Sequence, residues 1–287
     1  MIVLGDEITA AARLFYDRGI DTPLLDAQLL AAHALGCSRI DVIAHPERPL
    51  TEGEAEDYHL LTEKRAGRCP LAYLLGRKEF RGIEIEVAPG VLVPRPETEV
   101  LVEQCVRWLD RQGARGDGPT IADLGTGSGA IAVALGKELP SARVYATEIS
   151  PIALKVARAN VQKQNLSTRV VVLEGDFLEP LLGLSMLFDA IVSNPPYIPT
   201  GDIDSLQPEV SRFEPREALD GGLDGLDSYR VLLPRALELL TGAGFTAVEI
   251  GAGQASAVCE IARRSGYARV EVVPDLAGIQ RVVIAYR

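Results

Sequence analysis

From Thr120 to its end the 287-residue chain alternates short apolar runs with longer runs of helical period, and that alternation admits few architectures. The strand candidates are Thr120 to Leu124, Arg143 to Thr147, Val170 to Leu173, Phe188 to Val192, Phe245 to Ile250, Arg269 to Val273 and Arg281 to Ala285. Helical runs lie between them, one strongly amphipathic with Tyr229, Leu232, Leu233, Ala236, Leu237 and Leu240 on one face. Strands separated by helices form a doubly wound, mostly parallel sheet. The segment joining the last two is too short for a crossover helix, so the final strand is expected to run antiparallel. Such sheets bind ligands in the crevice outside the carboxyl ends of their strands.

Two strand ends carry chemistry. After Phe188 to Val192 the chain reads Asn194-Pro195-Pro196-Tyr197. Proline lacks an N–H and pushes the residue before it into an extended conformation, so this segment is stiff and poor in donors. It offers the Asn194 side-chain oxygen, the Pro195 carbonyl and the aromatic face of Tyr197, which suits a planar group with two N–H donors, either an amide or an exocyclic amine. An ordinary Pro-rich turn is the plainer reading, and Asn before and Tyr after the prolines weigh against it.

The second is Ile121-Ala122-Asp123-Leu124-Gly125-Thr126-Gly127-Ser128-Gly129-Ala130, a strand that enters a Gly-rich turn and then the helical run Ile131 to Lys137. Glycines permit positive φ and close backbone approach, and a helix N-terminus has free N–H groups, so a nucleotide-like cofactor fits. Gly125-x-Gly127-x-x-Ala130 also satisfies the dinucleotide fingerprint, with Glu148 placed for a ribose hydroxyl. The tighter Gly-x-Gly-x-Gly spacing and the acidic Asp123, suited to an ammonium group, favour S-adenosylmethionine over NAD.

Residues 1–76 read as a small helical domain. Thr22-Pro23 supplies a cap and a first-turn proline, Leu25, Leu29 and Ala32 form a stripe, and Gly36 ends the run. Thr51 and Glu54 have capping-box spacing before a helix that ends near Gly67. Residues 77–95 read as a β-hairpin linker in which Ile83, Ile85 and Val87 alternate with charged residues and Pro89-Gly90 turns the chain toward Val91-Leu92-Val93. Pro96 opens a helix to about Arg111, Gly113 to Pro119 is a polar loop, and 96–287 form the sheet domain.

Net charge is -11, which disfavours a general polyanion-binding role. The helical part holds seven basic against twelve acidic residues, so partner binding or packing is expected of it rather than contact with nucleic acid. From Gly201 to Ser228 eight acidic residues stand against Arg212 and Arg216, either as a solvated loop or as a mouth that repels phosphates and tolerates a basic protein. Cys37, Cys69, Cys105 and Cys259 are scattered, consistent with free buried thiols in a reducing compartment and with no metal site. His33 falls in an apolar helical pattern that suggests packing. No apolar run approaches the roughly 18 residues of a membrane helix, and the first residues lack a secretion signal, so a cytoplasmic protein without membrane contact is expected.

Taken together, these segments resemble the release-factor glutamine methyltransferases, the PrmC/HemK group. The resemblance runs through Leu24-Leu25-Asp26-Ala27, Pro70-Leu71-Ala72-Tyr73-Leu74-Leu75-Gly76, Glu79-Phe80 and Val93-Pro94-Arg95-Pro96-Glu97-Thr98-Glu99. It continues through both strand-end motifs to Glu214-Pro215, Ala218-Leu219, Gly221-Gly222-Leu223-Asp224-Gly225 and Arg281-Val282-Val283. Arg81, Glu148 and Gln280 depart from the usual family residues.

The resemblance implies a Rossmann-like class I methyltransferase sheet with an antiparallel last strand, plus an N-terminal helical bundle that binds the partner. It implies methylation of the side-chain amide nitrogen (N5) of the glutamine in the Gly-Gly-Gln motif of peptide chain release factors, hence a role in translation termination, by a monomer without direct nucleic-acid contact. Cofactor contacts are expected at Gly125, Thr126, Gly127, Ser128, Gly129, Glu148, Asp176, Phe177 and Asn194, with Asp176 read alternatively as a loop cap. Asn194, Pro195, Pro196 and Tyr197 are expected to bind the substrate, with Asn194, Pro195 and Tyr197 catalytic and Tyr197 packed on the amide plane. Arg95 and Glu97 receive no defined role beyond a salt bridge holding the hairpin. The main alternative is an exocyclic-amine (adenine N6 type) nucleic-acid methyltransferase, which would need a basic groove to hold a flipped base. An NAD-dependent oxidoreductase would leave the Asn194 motif without a task, and its retention argues against a non-catalytic adaptor.

Overall fold

The computed structural model describes residues 2–112 and 118–287, so most of the expected loop from Gly113 to Pro119 lies outside the described residues. The chain divides into two compact units, Met1–Arg77 with Gln207–Phe213, and Lys78–Leu206 with Glu214–Arg287.

The first unit is helical, with helices Leu4–Asp17, Pro23–Ala34, Arg39–Ala44, Glu52–Ala66 and Leu71–Leu75 around a core that includes Phe15, Leu30, Val42 and Tyr58. Thr51 and Glu54 form the expected capping box, and Ser38 with Asp41 forms another that the sequence reading passed over. The Pro23–Ala34 helix departs from expectation. Leu25 is 37% exposed, and the buried face is Asp26, Ala27, Leu30, Ala31 and Ala32, which leaves His33 exposed rather than packed. An ion pair accounts for the rotation: Arg65, itself buried, donates from Nε to Asp26 Oδ2 at 2.8 Å. The Thr22 hydroxyl also goes to Asp26, at 2.7 Å, instead of capping the backbone. Arg65 and Arg68 donate to the two oxygens of Glu209 at 2.8 and 2.6 Å, which ties the 207–213 segment into this unit. Burial raises the Glu209 pKa, but Arg68 and Arg65 outweigh it and hold the carboxyl below its usual range.

The second unit opens with a hairpin of β1 (Arg77–Phe80) and β2 (Ile83–Glu86). The two strands are joined at Arg81-Gly82, where both residues have positive φ, 52° and 71°, as a two-residue hairpin turn requires; Pro89-Gly90 is a turn as read, with Val91 N donating to the Ala88 carbonyl at 3.1 Å, but 91–93 form no strand. Arg81 is pinned there by Glu138, with Nη2 2.7 Å from Oε2. The following helix is Thr98–Gln112, and Pro96 sits in the turn before it, where Glu99 N donates back to the Pro96 carbonyl.

The main sheet contains β3 (Thr120–Leu124), β4 (Arg143–Glu148), β5 (Val170–Glu174), β6 (Phe188–Ser193), β7 (Leu240–Glu249), β8 (Arg269–Pro274) and β9 (Gln280–Tyr286) in the order β5-β4-β3-β6-β7-β9-β8. Strands β3 to β7 run parallel to one another, and β9 runs antiparallel between β7 and β8, as the short last connection requires. Tyr229, Leu232, Leu233 and Ala236 of helix Asp227–Leu239 pack into the core with Val258 and Ala262 of helix Ala255–Ser265, while Leu240 belongs to β7. Each fully buried leucine contributes about 2 kcal/mol. The chain order leaves β3 for β4 and β5 and returns to β6, so the reversal point lies between β3 and β6. That is where a doubly wound sheet opens a crevice.

Candidate active site

Strands β3 and β6 end side by side, with Leu124 opposite Ser193 and the Ser193 hydroxyl donating to the Leu124 carbonyl at 2.8 Å. Both singled-out motifs therefore leave the sheet together, and they line one cavity of about 550 Å³, within the usual range for small-molecule sites. Gly125, Thr126, Gly127, Ser128, Glu148, Asp176, Phe177, Asn194, Pro195 and Pro196 all face it. Gly129 and Tyr197 do not.

The Gly-rich loop is held from below. Asp123 is fully buried and does not line the cavity; its Oδ2 accepts from the Thr126 hydroxyl and from Ala132 N. Burial pushes its pKa up to about 7, against those two donors. A loop-bracing role thus replaces the ammonium contact expected from sequence. From the other side, Asn160 donates to the Ser128 carbonyl at 2.8 Å and exchanges hydrogen bonds with the backbone of Glu86. Gly129 caps helix Ala130–Glu138 at φ +82°, where a Cβ would press on the Ala157 backbone at 3.2 Å, so its absence of side chain serves helix packing.

Glu148 stands at the end of β4, 8% exposed, and its two oxygens accept from Gly127 N and Ser150 N at 2.8 Å each. Each oxygen retains a lone pair, so the carboxylate can still accept from a diol despite the methylene that separates it from aspartate. Phe177 adopts φ +39°, a left-handed conformation disfavoured for a bulky residue, and its ring reaches within 3.5 Å of where a Gly125 Cβ would stand. Ile149 and Ile152, both more than half exposed, add apolar wall. A buried carboxylate, a glycine-rich turn and apolar walls fit S-adenosylmethionine.

Across the cavity Asn194 Nδ2 donates to Thr98 Oγ1 at 3.1 Å. Among the described residues none donates to Asn194 Oδ1 or to the Pro195 carbonyl, so two acceptors stand open beside the cofactor loop. Tyr197 is anchored instead, its hydroxyl donating to Glu249 Oε1 at 3.3 Å and its carbonyl accepting from Gln254 Nε2 at 2.8 Å. Gly221 and Gly225 lie against its backbone, where a Cβ would come within 2.8 Å of Tyr197 Cα or 2.3 Å of its carbonyl oxygen. The Gly221 to Gly225 stretch is therefore a close-packed backing for the Asn194 motif.

Arg95 donates from Nη2 to both oxygens of Glu214, at 2.8 and 2.7 Å, and both Arg95 and the adjoining Pro215, Glu217 and Ala218 line the cavity. The pair holds a wall of the site. Much of the acidic 201–228 stretch is similarly engaged: Asp220 accepts from Thr200 and Gly222, and Asp224 from Arg230. Sequence reading missed Ile149, Ile152, Thr98 and Glu249. The first two directly follow a strand's carboxyl end, and Glu249 is a charge in an otherwise apolar strand, so both signals were present.

Residues 8–76 match the PrmC N-terminal domain family and residues 98–206 the Methyltransferase small domain family. A release factor glutamine methyltransferase from Moorella thermoacetica is 46% identical over 287 residues, covering 100% of this chain and 99% of that protein. The chain belongs to the release factor glutamine methyltransferase family. A family member from Geobacter sulfurreducens is 43% identical over 93% of this chain and 90% of its own. Among solved structures, a methyltransferase from Pyrococcus furiosus aligns at TM-score 0.53 and 22% identity, over 73% of this chain and 91% of that one. The N-terminal domain of human METTL16 in complex with SAH aligns at TM-score 0.55 and 19% identity, over 78% and 82%. These two likenesses speak to the fold alone. No helix among the described residues is long and apolar enough to cross a membrane, and no group of His, Cys, Asp and Glu among them could hold a metal ion.

Proposed function

We propose that this protein methylates the side-chain amide nitrogen of the glutamine in the Gly-Gly-Gln motif of peptide chain release factors, using S-adenosylmethionine, and so acts in translation termination. The observation that carries the site assignment is the Asn194–Thr98 contact: with Nδ2 engaged, Oδ1 is left to face the cavity next to the free Pro195 carbonyl. A primary carboxamide has two N–H donors and a flat frame, and these two acceptors match it.

An amide nitrogen is a weak nucleophile because its lone pair is delocalised, so orientation carries much of the catalytic burden. The cofactor supplies an electrophilic methyl group. Asn194 Oδ1 and the Pro195 carbonyl hold the two N–H bonds and thereby set the direction of the nitrogen; Pro196 keeps this segment stiff. Once methylated the nitrogen sheds a proton readily, and a neutral acceptor suffices to pass it to water. Tyr197 serves in this reading as an anchor of the segment through Glu249, since its ring is not part of the cavity wall. Gly125, Thr126, Gly127, Ser128, Glu148, Asp176, Phe177 and Asn194 hold the cofactor, with Gly129 contributing through packing.

The helical unit takes the role of partner binding, and the chain works as a cytoplasmic monomer without direct contact to nucleic acid. A net charge of -11 and Glu217 on the cavity wall are unsuited to a polynucleotide, which weighs against adenine N6 as acceptor. Purified protein with radiolabelled cofactor and a release factor is expected to yield labelled release factor, with labelling abolished when the Gly-Gly-Gln glutamine is replaced. Equal labelling of the replaced factor would rule out this acceptor.

A further inference from the structure

Among the described residues the charged side chains that line the cavity are Arg95, Glu148, Asp176 and Glu217. The first three have tasks already. Arg95 is held by Glu214, Glu148 accepts from two backbone N–H groups, and Glu148 and Asp176 stand among the residues assigned to the cofactor. Glu217 has none. It is exposed, and none of the described residues donates to its carboxylate. The neighbouring Arg216 turns instead to Asp204 at 3.3 Å and to Asp220 at 3.8 Å. A carboxylate left unneutralised on a cavity wall sets the sign of the field that an entering group meets.

The backbone fixes where that charge sits. Glu217 lies in the single 3-10 turn Arg216–Ala218, in which Ala218 N donates to the Pro215 carbonyl and Leu219 N to the Arg216 carbonyl, each at 3.0 Å. On its C-terminal side the turn is laced to the residue that follows the Asn194-Pro195-Pro196-Tyr197 segment: Ile198 N donates to the Leu219 carbonyl at 2.9 Å, and Gly221 N to the Ile198 carbonyl at 2.8 Å. On its N-terminal side Glu214 is buried and clamped by Arg95. Glu217 is therefore a preplaced charge at the acceptor end of the cavity.

Resting on the function proposed above, we propose that Glu217 is a specificity-determining residue for the protein substrate: it selects an acceptor loop with lysine or arginine beside the reacting glutamine and turns away one with a carboxylate there. The glutamine amide is neutral, and Asn194 Oδ1 and the Pro195 carbonyl read only its two N–H bonds. They carry no information about its neighbours. A cationic flank is drawn toward Glu217, and the long stem of lysine or arginine lets its charge reach the rim; an acidic flank meets like charge. Because Glu217 is exposed, the discrimination is moderate and weakens as salt screens it.

The test measures kcat/KM for methyl transfer by the full-length protein to full-length release factor carrying Lys, Ala or Glu directly after the acceptor glutamine. Wild type is expected to prefer Lys over Glu about tenfold in about 50 mM salt and about twofold in about 0.5 M salt. Glu217→Gln should bring the three factors within about twofold of one another, and Glu217→Lys should reverse the order. The order Lys, Ala, Glu retained in Glu217→Lys overturns the inference. So does a cofactor Kd about tenfold weaker in Glu217→Gln with the preference intact, which would assign the carboxylate to the ammonium group of S-adenosylmethionine. A wild-type protein that labels no release-factor glutamine overturns the proposed function and this inference with it, whereas labelling with an unreversed preference overturns this inference alone.

Discussion

Replacing Arg95 by alanine removes the sole cation bonded to Glu214 among the described residues. The Glu214 side chain is 1% exposed and Arg95 is 32% exposed, so the perturbation strands a buried carboxylate while removing a partly solvated guanidinium. Breaking a buried pair on one side costs about 3–5 kcal/mol, and the exposure of Arg95 places the expectation at the low end, about 3 kcal/mol near pH 8. For a unit of this size that corresponds to a melting decrease of about 6–12 °C.

The pH dependence has a defined sign. Burial already raises the Glu214 pKa, against the pull of Arg95, so ionising it opposes folding as pH rises through the folded value. Without Arg95 the folded pKa rises further. The loss is then small at pH values well below the folded pKa, where Glu214 is protonated with or without Arg95, and grows as pH rises above it. Trp108, the one tryptophan in the chain, packs on Phe245 with ring centroids 4.6 Å apart and reports the unfolding of this unit by fluorescence. Denaturant unfolding of wild type, Arg95→Ala and Arg95→Ala with Glu214→Gln across that range should show the pH-dependent loss and its partial recovery in the double variant. A loss that is the same at every pH, or no recovery on removing the Glu214 charge, would refute the reasoning.

Three further outcomes follow from the same physics. Asp123→Asn removes a carboxyl whose pKa burial lifts to about 7, so relative to wild type the variant should gain stability as pH rises from about 6 to about 8; a pH-independent difference in melting temperature would contradict this. Gly221→Ala sets a Cβ 2.8 Å from Tyr197 Cα and from the Gly225 Cα, so overpacking of about 1–3 kcal/mol and at least a tenfold loss of transfer are expected, and wild-type kinetics would show that this backing is dispensable. Arg65→Ala leaves Asp26 and Glu209 without their shared partner, and hydrogen exchange in helices Pro23–Ala34 and Glu52–Ala66 should quicken by at least about tenfold; unchanged protection would count against the network.

The sheet was legible because its strands are buried apolar runs, and Thr120 to Leu124 was read to the residue. The antiparallel last strand followed from connection length alone. Where reading failed, a polar interaction or a turn geometry overrode periodicity. The Pro23–Ala34 helix turned its Asp26 side inward to meet Arg65, some forty residues away in sequence, which apolar spacing does not encode. The hairpin reversed at Arg81-Gly82 because two successive positive-φ residues suit that turn, a weaker signal than the Pro-Gly pair nearby. In the site, the two motifs were each readable as strand ends, and their meeting followed from the chain reversal between β3 and β6. Which side chains face the cavity was less legible. Asp123 and Tyr197 belong to the motifs but brace them, and Glu249 has no motif at all.

The central claim is that Asn194 presents an open acceptor to the reacting amide, and Asn194→Ala tests it most directly when kcat and cofactor affinity are measured on the same preparation. Losing one preorganised hydrogen-bond partner in such a site is expected to lower kcat by about 10²–10³, a larger factor than the rise in the Kd for S-adenosylmethionine that follows from losing the cofactor contact of Asn194. Unchanged turnover in Asn194→Ala, or a loss explained entirely by weaker cofactor binding, would contradict the account.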